Sequence, residues 1–237
     1  HWGMDVYVVA DGHGNSPNNI GEWIARVSAG LVPEFPVTPP QSSASPEEIQ
    51  EYFFGMFKYV RENLLYKLKE EMNFELRDGV LFNGSELVRG GTTLTVVYHY
   101  ADNVVITANC GDSDAIIFGE RHMSIESITG DHDITSSLDY INLCGSHSPL
   151  NRCEVEVINK AALKPGMNYS YDALDGRRPA IYDSSDNVVS AQDLRRNGFK
   201  LYTKNVEGEW AAVIGREDVM TYYLAYTRSI GDWYLEP

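Results

Sequence analysis

The sequence predicts an α+β protein in which a few helices pack against a largely antiparallel β-structure. Apolar residues recur at helical spacing over two long stretches in the first third of the chain, residues 18–31 and 46–72. Most of the remaining chain consists of short β-branched and aromatic segments separated by turn residues. Helices early in the chain, succeeded by a meander of strands, are typical of the α+β class.

The first part of the chain is predicted to contain a strand, a helix, a loop and the start of a second helix. Residues 5–10 form an apolar strand without alternation, so both of its faces are expected to be buried. A helix is predicted over residues 18–31 and a proline-rich loop over residues 32–46. The second helix is expected to start at a capping box made by Ser45 and Glu48.

The second helix is expected to continue to about Met72 and to bury one apolar stripe, which comprises Ile49, Phe53, Met56, Val60, Leu64 and Leu68. A stripe of this kind is more typical of core packing than of a cofactor site. Later strands are predicted at residues 92–99, 103–109, 114–119 and 123–128, with a hairpin turn at residues 101–103. A short helix is expected at residues 134–143, and strand-like pieces are expected at residues 155–158, 180–182, 199–202 and 210–214.

The composition describes an acidic globular chain. Of its 237 residues, 43% are hydrophobic and 22% are charged, so the chain can bury a sizeable core. The formal net charge of −15 argues against a nucleic-acid partner, because such partners require a basic surface. An acidic surface fits a protein that gathers divalent cations, and it fits simple solvation equally well.

Cysteine usage and hydropathy favour an intracellular protein, cytoplasmic or nuclear. The three cysteines, Cys110, Cys144 and Cys153, match neither a disulfide framework nor a zinc motif. Reduced thiols of this kind are typical of a reducing compartment. No apolar run reaches membrane-spanning length and no signal peptide is visible. We therefore expect a monomer with no membrane partner.

The first motif that carries chemistry is Asp-Gly-His-Gly at residues 11–14, where the first strand ends. Asp11 offers an anionic oxygen that suits Mg²⁺ or Mn²⁺. Gly12 is expected to let the backbone turn and to present its carbonyl without hindrance. His13 is close enough in sequence to such a metal site to transfer a proton there. Because strands that end in an Asp-Gly turn are common, this motif does not define a site by itself.

Four further motif-like segments follow along the chain. In order they are Gly-Gly-Thr-Thr-Leu-Thr at 90–95, Asn-Cys-Gly-Asp-Ser-Asp-Ala at 109–115, Thr-Gly-Asp-His-Asp at 129–133 and Thr-Arg-Ser-Ile-Gly-Asp at 227–232. Together with Asp-Gly-His-Gly, this ordered set resembles the protein phosphatase 2C family of metal-dependent protein serine/threonine phosphatases. The resemblance covers roughly residues 5–143 and 222–237. It implies an antiparallel β-sandwich flanked by helix pairs, in four αββα layers, with a metal site at one end.

The resemblance also implies roles for individual residues. Asp11 matches the residue whose carboxylate bridges two Mg²⁺ or Mn²⁺ ions, and Gly12 matches one whose carbonyl reaches a metal. His13 matches the proposed general acid, which protonates the leaving serine or threonine oxygen. Asp112 matches a position near a third, weaker metal. An equally good interpretation of Asp112 is a turn residue that bonds its own backbone.

Some positions depart from the family pattern. Asp114 stands where the family usually has Arg, so any ion pair made by that Arg is lost. Residues 131–133, Asp-His-Asp, look like a metal triplet, but the matching family segment is structural. The family's other acidic ligands and its phosphate-binding Arg belong upstream of the first motif and downstream of the last. We therefore expect an excerpt of a longer domain, with little activity of its own.

The sequence thus predicts metal-dependent hydrolysis of phosphoserine and phosphothreonine in proteins by a metal-activated water. The alternative is a catalytically impaired pseudophosphatase that acts as a binding or regulatory module. The retained Asp-Gly-His trio favours the first hypothesis and Asp114 favours the second. A third hypothesis is an unrelated sandwich with accidental motifs. We expect one phosphatase-like domain over residues 1–237, with a variable flap-like insert at about residues 145–221.

Overall fold

The chain divides into two compact units, residues 1–146 with 228–236, and residues 147–227 with residue 237. This computed structural model describes residues 3–77, 79–118, 140–145, 147, 154, 168–171, 179–182, 200–204, 210–214, 222–224 and 228–233. Helices and antiparallel strands are both present, in agreement with the predicted α+β class. The helices are α1 (Ile20–Leu31) and α2 (Pro46–Met72).

The strands within the described residues are short and pair antiparallel with one another. In chain order they are β1 (Met4–Val9), β2 (Gly12–Ser16), β3 (Glu75–Arg77), β4 (Val80–Asn83), β5 (Glu86–Leu87), β6 (Arg89–Thr92), β7 (Leu94–Tyr100), β8 (Val105–Cys110), β9 (Ile116–Phe118), β10 (Tyr140–Asn142), β11 (Asn168–Tyr171), β12 (Pro179–Tyr182), β13 (Lys200–Lys204), β14 (Trp210–Ile214), β15 (Tyr222–Leu224) and β16 (Ile230–Gly231).

Both helices lie where the sequence predicts them, and α2 begins with the predicted capping box. The N–H of Glu48 donates to Oγ of Ser45 at 3.3 Å, and the N–H of Ser45 donates to Oε2 of Glu48 at 2.9 Å. Every residue of the predicted apolar stripe of α2 is buried. Together with α1 and the strands of this unit, the stripe forms one hydrophobic core.

The capping box gives a first prediction about stability. Ser45→Ala is expected to lower the free energy of unfolding by about 1 kcal/mol, because N–H groups in the first turn of α2 lose an acceptor. Urea denaturation monitored by circular dichroism measures the change. The control is Ser43→Ala, the same replacement at an exposed position just before the helix, and it is expected to change stability by less than about 0.5 kcal/mol. Equal losses in the two variants would contradict the capping role.

The first sheet, in the order β1-β7-β8, determines where the first and third motifs emerge. Thr95, near the start of β7, pairs with Val9 on one side and with Asn109 on the other. β1 and β8 both run antiparallel to β7, so they end at the same edge of the sheet. The predicted turn at residues 101–103 connects β7 to β8, and Asn103 adopts a left-handed backbone there, with φ +64°.

The second sheet, in the order β16-β6-β2, joins parts of the chain that are far apart in sequence. Gly91 in the central strand pairs with His13 of β2 on one side and with Gly231 of β16 on the other. The first and last motifs therefore lie in the same sheet, on either side of the Gly-Gly-Thr-Thr segment. β3, β4 and β5 form a third sheet, which the sequence pattern did not predict.

β1 is less buried than its apolar composition predicts. Val6, Tyr7 and Val9 are 45%, 55% and 53% exposed. The prediction that both faces of this strand are buried is therefore wrong. β1 is an edge strand of its sheet, and its packing against the hydrophobic core comes from Met4 and Val8.

Of the elements predicted in the first unit, two differ from the structure and a third lies outside the described residues. Residues 140–142, within the predicted short helix, form β10, where Ile141 pairs with Ile117 of β9. That prediction is wrong for these residues, because a short apolar run fits a strand as well as a helix. The strand predicted over residues 92–99 begins later, since β6 ends at Thr92 and β7 starts at Leu94. The strand predicted at residues 123–128 lies outside the described residues.

The described strands of the second unit form two antiparallel sheets, β11-β12 and β13-β14-β15. Strand-like pieces predicted at residues 180–182, 199–202 and 210–214 correspond to β12, β13 and β14. The piece predicted at residues 155–158 lies outside the described residues.

Candidate catalytic and metal site

Asp11 comes after β1 and is held in place through its backbone. Its N–H donates to Oγ1 of Thr93 at 3.0 Å, and the N–H of Thr93 donates to the Asp11 carbonyl at 2.9 Å. Thr93 is the single residue between β6 and β7. Because the backbone makes these contacts, Asp11 is fixed in position while the residue remains exposed to solvent. The arrangement presents a carboxylate at the end of the sheet.

Asp112 lies in the turn after β8, and the same threonine holds this turn. Oγ1 of Thr93 and Oγ of Ser113 are 2.6 Å apart, and Oγ1 of Thr95 donates to the Ser113 carbonyl at 2.7 Å. β1 and β8 end at one edge of the sheet, so the structure brings Asp11 and Asp112 to the same end of it. Asp112 is also exposed, as is the neighbouring Asp114.

The backbone of the Asp-Gly-His-Gly motif packs against α1 with no room for a side chain at Gly12. A Cβ added at Gly12 would lie 2.1 Å from the carbonyl oxygen of Gly21, which belongs to the first turn of α1. A Cβ added at Gly21 would lie 2.3 Å from the His13 carbonyl oxygen. Gly12 does not have a left-handed backbone. The close approach of α1 requires a glycine here, a reason that the sequence did not predict.

His13 is paired with Asp232, a contact that no feature of the sequence predicted. Nε2 of His13 and Oδ2 of Asp232 are 2.7 Å apart, although the two residues are 219 positions apart in sequence. Oγ of Ser229 donates to the same Oδ2 at 2.5 Å. The side chain of Asp232 is 3% exposed and that of His13 is 25% exposed. A carboxylate this deeply buried needs donors to offset its loss of water.

Gly91 makes the pairing of His13 with Asp232 possible. It lies between β2 and β16, and a Cβ at this position would be 2.3 Å from Oδ2 of Asp232 and 2.8 Å from Nε2 of His13. The imidazole and the carboxylate therefore meet over a residue of β6 that has no side chain. Gly231 and Asp232 both have left-handed backbones, with φ +104° and +49°, so the chain turns sharply after β16. The Gly-Gly pair in the central strand marks a place of close approach in the sequence, but it does not say which residues meet there.

The described residues do not by themselves complete a two-metal site. Among them, no group of three or more His, Cys, Asp or Glu residues could hold a metal ion. The Asp11 carboxylate, the Gly12 carbonyl and Asp112 are suitable oxygen donors, but two divalent ions need more anionic ligands than these. The metal roles of these three residues stay predictions. Residues 131–133, the other acidic candidate, lie outside the described residues.

Comparison with known proteins supports the resemblance carried by the motifs. The sequence model of the family described as Protein phosphatase 2C matches residues 60–149. This match confirms the predicted resemblance to the protein phosphatase 2C family, over residues 60–149. The matched segment contains the Gly-Gly-Thr-Thr and Gly-Asp-Ser-Asp motifs around Thr93 and Asp112. No curated protein matches the chain.

Within the described part of the chain, neither helix has an apolar stretch long enough to cross a membrane.

Proposed function

We propose that this chain acts in the metal-dependent hydrolysis of phosphoserine and phosphothreonine in proteins. The observation that carries the proposal is the protein phosphatase 2C match over residues 60–149. The exposed Asp11 at a sheet edge and the adjacent His13 add to it. Phosphoprotein substrates, Mg²⁺ or Mn²⁺ as cofactors, a monomeric state and an intracellular location belong to the same proposal, as does the four-layer sandwich.

In this proposal the chain's own residues act either as metal ligands or as the general acid. Asp11 and Asp112 supply anionic oxygens at one end of the first sheet, and Gly12 supplies a carbonyl. His13 donates a proton to the serine or threonine oxygen as that oxygen leaves phosphorus. An alkoxide is a poor leaving group at neutral pH, so this proton transfer lowers the barrier. The bound ions would activate the attacking water and offset the phosphoryl charge.

The flap-like insert at about residues 145–221 is proposed to influence selectivity among phosphoproteins. Its support is the division of the chain into compact units between residues 146 and 147. The described strands in this stretch are short, with four or five residues each, as is common in loop-rich subdomains.

The second candidate function is a pseudophosphatase that binds phosphoproteins without hydrolysing them. Two observations favour it, namely the acid Asp114 at the position where the family usually has Arg, and the lack of a three-membered ligand group within the described residues. Turnover distinguishes the two functions. If the full chain with saturating Mn²⁺ hydrolyses a phosphopeptide measurably faster than its Asp11→Asn variant, the pseudophosphatase is excluded.

The general-acid role of His13 predicts that one substitution affects two substrates to different extents. His13→Gln is expected to lower the kcat for a phosphoserine peptide by about 10²-fold, because the leaving alkoxide needs a proton in the transition state. An aryl phosphate with an activated phenolate leaving group needs no such proton, so its kcat should fall much less. Steady-state assays of the full chain with Mn²⁺ measure both values.

The matched control for that experiment is His99→Gln. His99 lies in β7, opposite Asp5 and Val105, away from the Asp-Gly-His-Gly motif. This variant is expected to keep both kcat values within about twofold of the wild type, since a partly buried position outside the site makes no contact with the substrate. Equal losses of His13→Gln on both substrates would remove the general-acid role.

A further inference from the structure

We infer that Asp232 is a positioning residue for His13, which orients the imidazole and keeps a proton on its Nε2 atom. This role gives a task to the last motif of the chain, for whose residues the sequence predicted none. It deepens the proposed function and rests on that function for its catalytic consequence. The pairing itself can be tested without any turnover.

The carboxylate of Asp232 is held in one orientation by contacts on several sides. Its own N–H donates to the Gly90 carbonyl at 3.0 Å, and Oγ of Ser229 donates to Oδ2 at 2.5 Å. The left-handed backbone of Asp232 brings the side chain back over Gly91. With 3% of the side chain exposed, the carboxylate has little freedom to rotate into solvent.

Both donors converge on one oxygen of this carboxylate. Oδ2 accepts from His13 and from Ser229, whereas Oδ1 is buried and has no hydrogen-bond partner within the described residues. A carboxylate whose only task was to fill the interior would be expected to satisfy both oxygens, because an unpartnered buried acceptor costs free energy. The observed asymmetry indicates that the side chain is oriented toward the imidazole.

The geometry of the pair favours one position for the proton. Where the carboxylate of Asp232 is ionised it can only accept, and the 2.7 Å contact then takes an N–H at Nε2 of His13. A neutral imidazole carries one N–H, and Asp232 therefore selects one of its two tautomers. The same bond restricts rotation of a side chain that is 25% exposed. Because Asp232 holds the Nε2–H, the proton that His13 gives to the leaving oxygen comes from Nδ1 of the imidazolium, and the transfer leaves the neutral Nε2–H imidazole in place.

The experiment compares Asp232→Asn with the wild-type full chain. An asparagine side chain keeps the shape of the carboxylate, but it can either accept from Nε2 or donate to it, so it permits both tautomers. Ring ¹⁵N shifts, assigned to His13 by their loss in His13→Gln, report which nitrogen carries the proton. Wild-type protein is expected to show the Nε2–H form, and Asp232→Asn a mixture of the two forms.

Kinetics supply the second readout. Asp232→Asn is expected to lower the kcat for the phosphoserine peptide by about 10²-fold with KM unchanged, and to lower the kcat for the aryl phosphate much less. Asp102→Asn is the matched control, since Asp102 is an exposed turn residue whose carboxylate accepts from Ser42. It is expected to leave the ring shifts and both kcat values as in the wild type.

The possible outcomes are separable. If Asp232→Asn retains a pure Nε2–H form and peptide kcat within about threefold of the wild type, the inference is overturned. If the wild-type chain, whose own activity is expected to be weak, gives no measurable turnover, the ring shifts alone decide the pairing. Should Asp232→Asn fail to fold, Ser229→Ala keeps the carboxylate and removes one donor to Oδ2. It is expected to broaden or shift the His13 ring signals, and unchanged signals would count against the inference.

Discussion

Asp11→Asn is expected to remove most of whatever metal-dependent phosphatase activity the wild-type protein shows, while leaving its fold intact. Asparagine is nearly isosteric with aspartate but lacks the anionic oxygen that a divalent ion prefers. A loss of about 10²-fold or more in turnover with saturating Mn²⁺ is expected when such a ligand charge is removed. The fold should survive, because the contacts of Asp11 with Thr93 use its backbone N–H and carbonyl.

Calorimetric titration with Mn²⁺ complements this assay. Binding to the wild-type chain is expected to be weak, because the Asp11 carboxylate and the Gly12 carbonyl leave two divalent ions short of ligands, and binding to Asp11→Asn should be weaker still. Asp102→Asn, the same substitution in an exposed turn, is the control. Turnover by Asp11→Asn within about threefold of the wild type would contradict the metal role of Asp11. A loss of cooperative thermal unfolding would show instead that this side chain serves the fold.

Helix α2 shows which parts of the structure a sequence can predict. Its start depends on a hydrogen-bonding pattern confined to Ser45 and Glu48, and its buried face on a repeat within a single helix. Both signals are local, so they do not depend on the rest of the chain. The burial of β1 could not be predicted in the same way. Whether an apolar strand is covered depends on its place in the sheet, and β1 lies at an edge.

The candidate site likewise has one part that local sequence signals predict and another part that depends on the rest of the fold. Asp11, Gly12 and His13 are adjacent in sequence, so a motif suffices to single them out. The pairing of His13 with Asp232 depends on β6 lying between β2 and β16, an arrangement that brings together residues 219 positions apart. No periodicity or local spacing encodes such a contact. The ordered set of motifs did place both residues in motif segments of one family, but it gave no geometry between them.

The glycines of the motifs illustrate a further limit on what can be predicted from the sequence. A glycine in sequence indicates a position without a side chain, but it does not say whether the cause is backbone conformation or close packing. Gly14 and Gly111 have left-handed backbones, with φ +91° and +108°. Gly12 does not, and its cause is the approach of Gly21 in α1. Only the three-dimensional contact between β2 and α1 separates the two explanations.

That contact leads to the largest expected effect on stability. Gly12→Ala is expected to lower the free energy of unfolding by about 3 kcal/mol or more, because the new Cβ cannot be accommodated by a change of side-chain rotamer. It would lie 2.1 Å from the carbonyl oxygen and 2.5 Å from the carbonyl carbon of Gly21, both of which are backbone atoms. The added methyl would also lie 3.0 Å from Cβ of Ala25. The start of α1 would therefore have to move away from β2.

Chemical denaturation monitored by circular dichroism and by tryptophan fluorescence measures this loss, and Gly30→Ala is the matched control. Gly30 is an exposed residue of α1, and a Cβ at that position has no atom within 4 Å. Because alanine favours a helix over glycine, Gly30→Ala is expected to raise stability by about 0.5 kcal/mol. The same chemical change in two neighbouring elements should thus have opposite signs. If Gly12→Ala were as stable as the wild type, α1 would not pack on the Asp-Gly-His-Gly strand as described, and the positions of Asp11 and His13 relative to α1 would have to be revised.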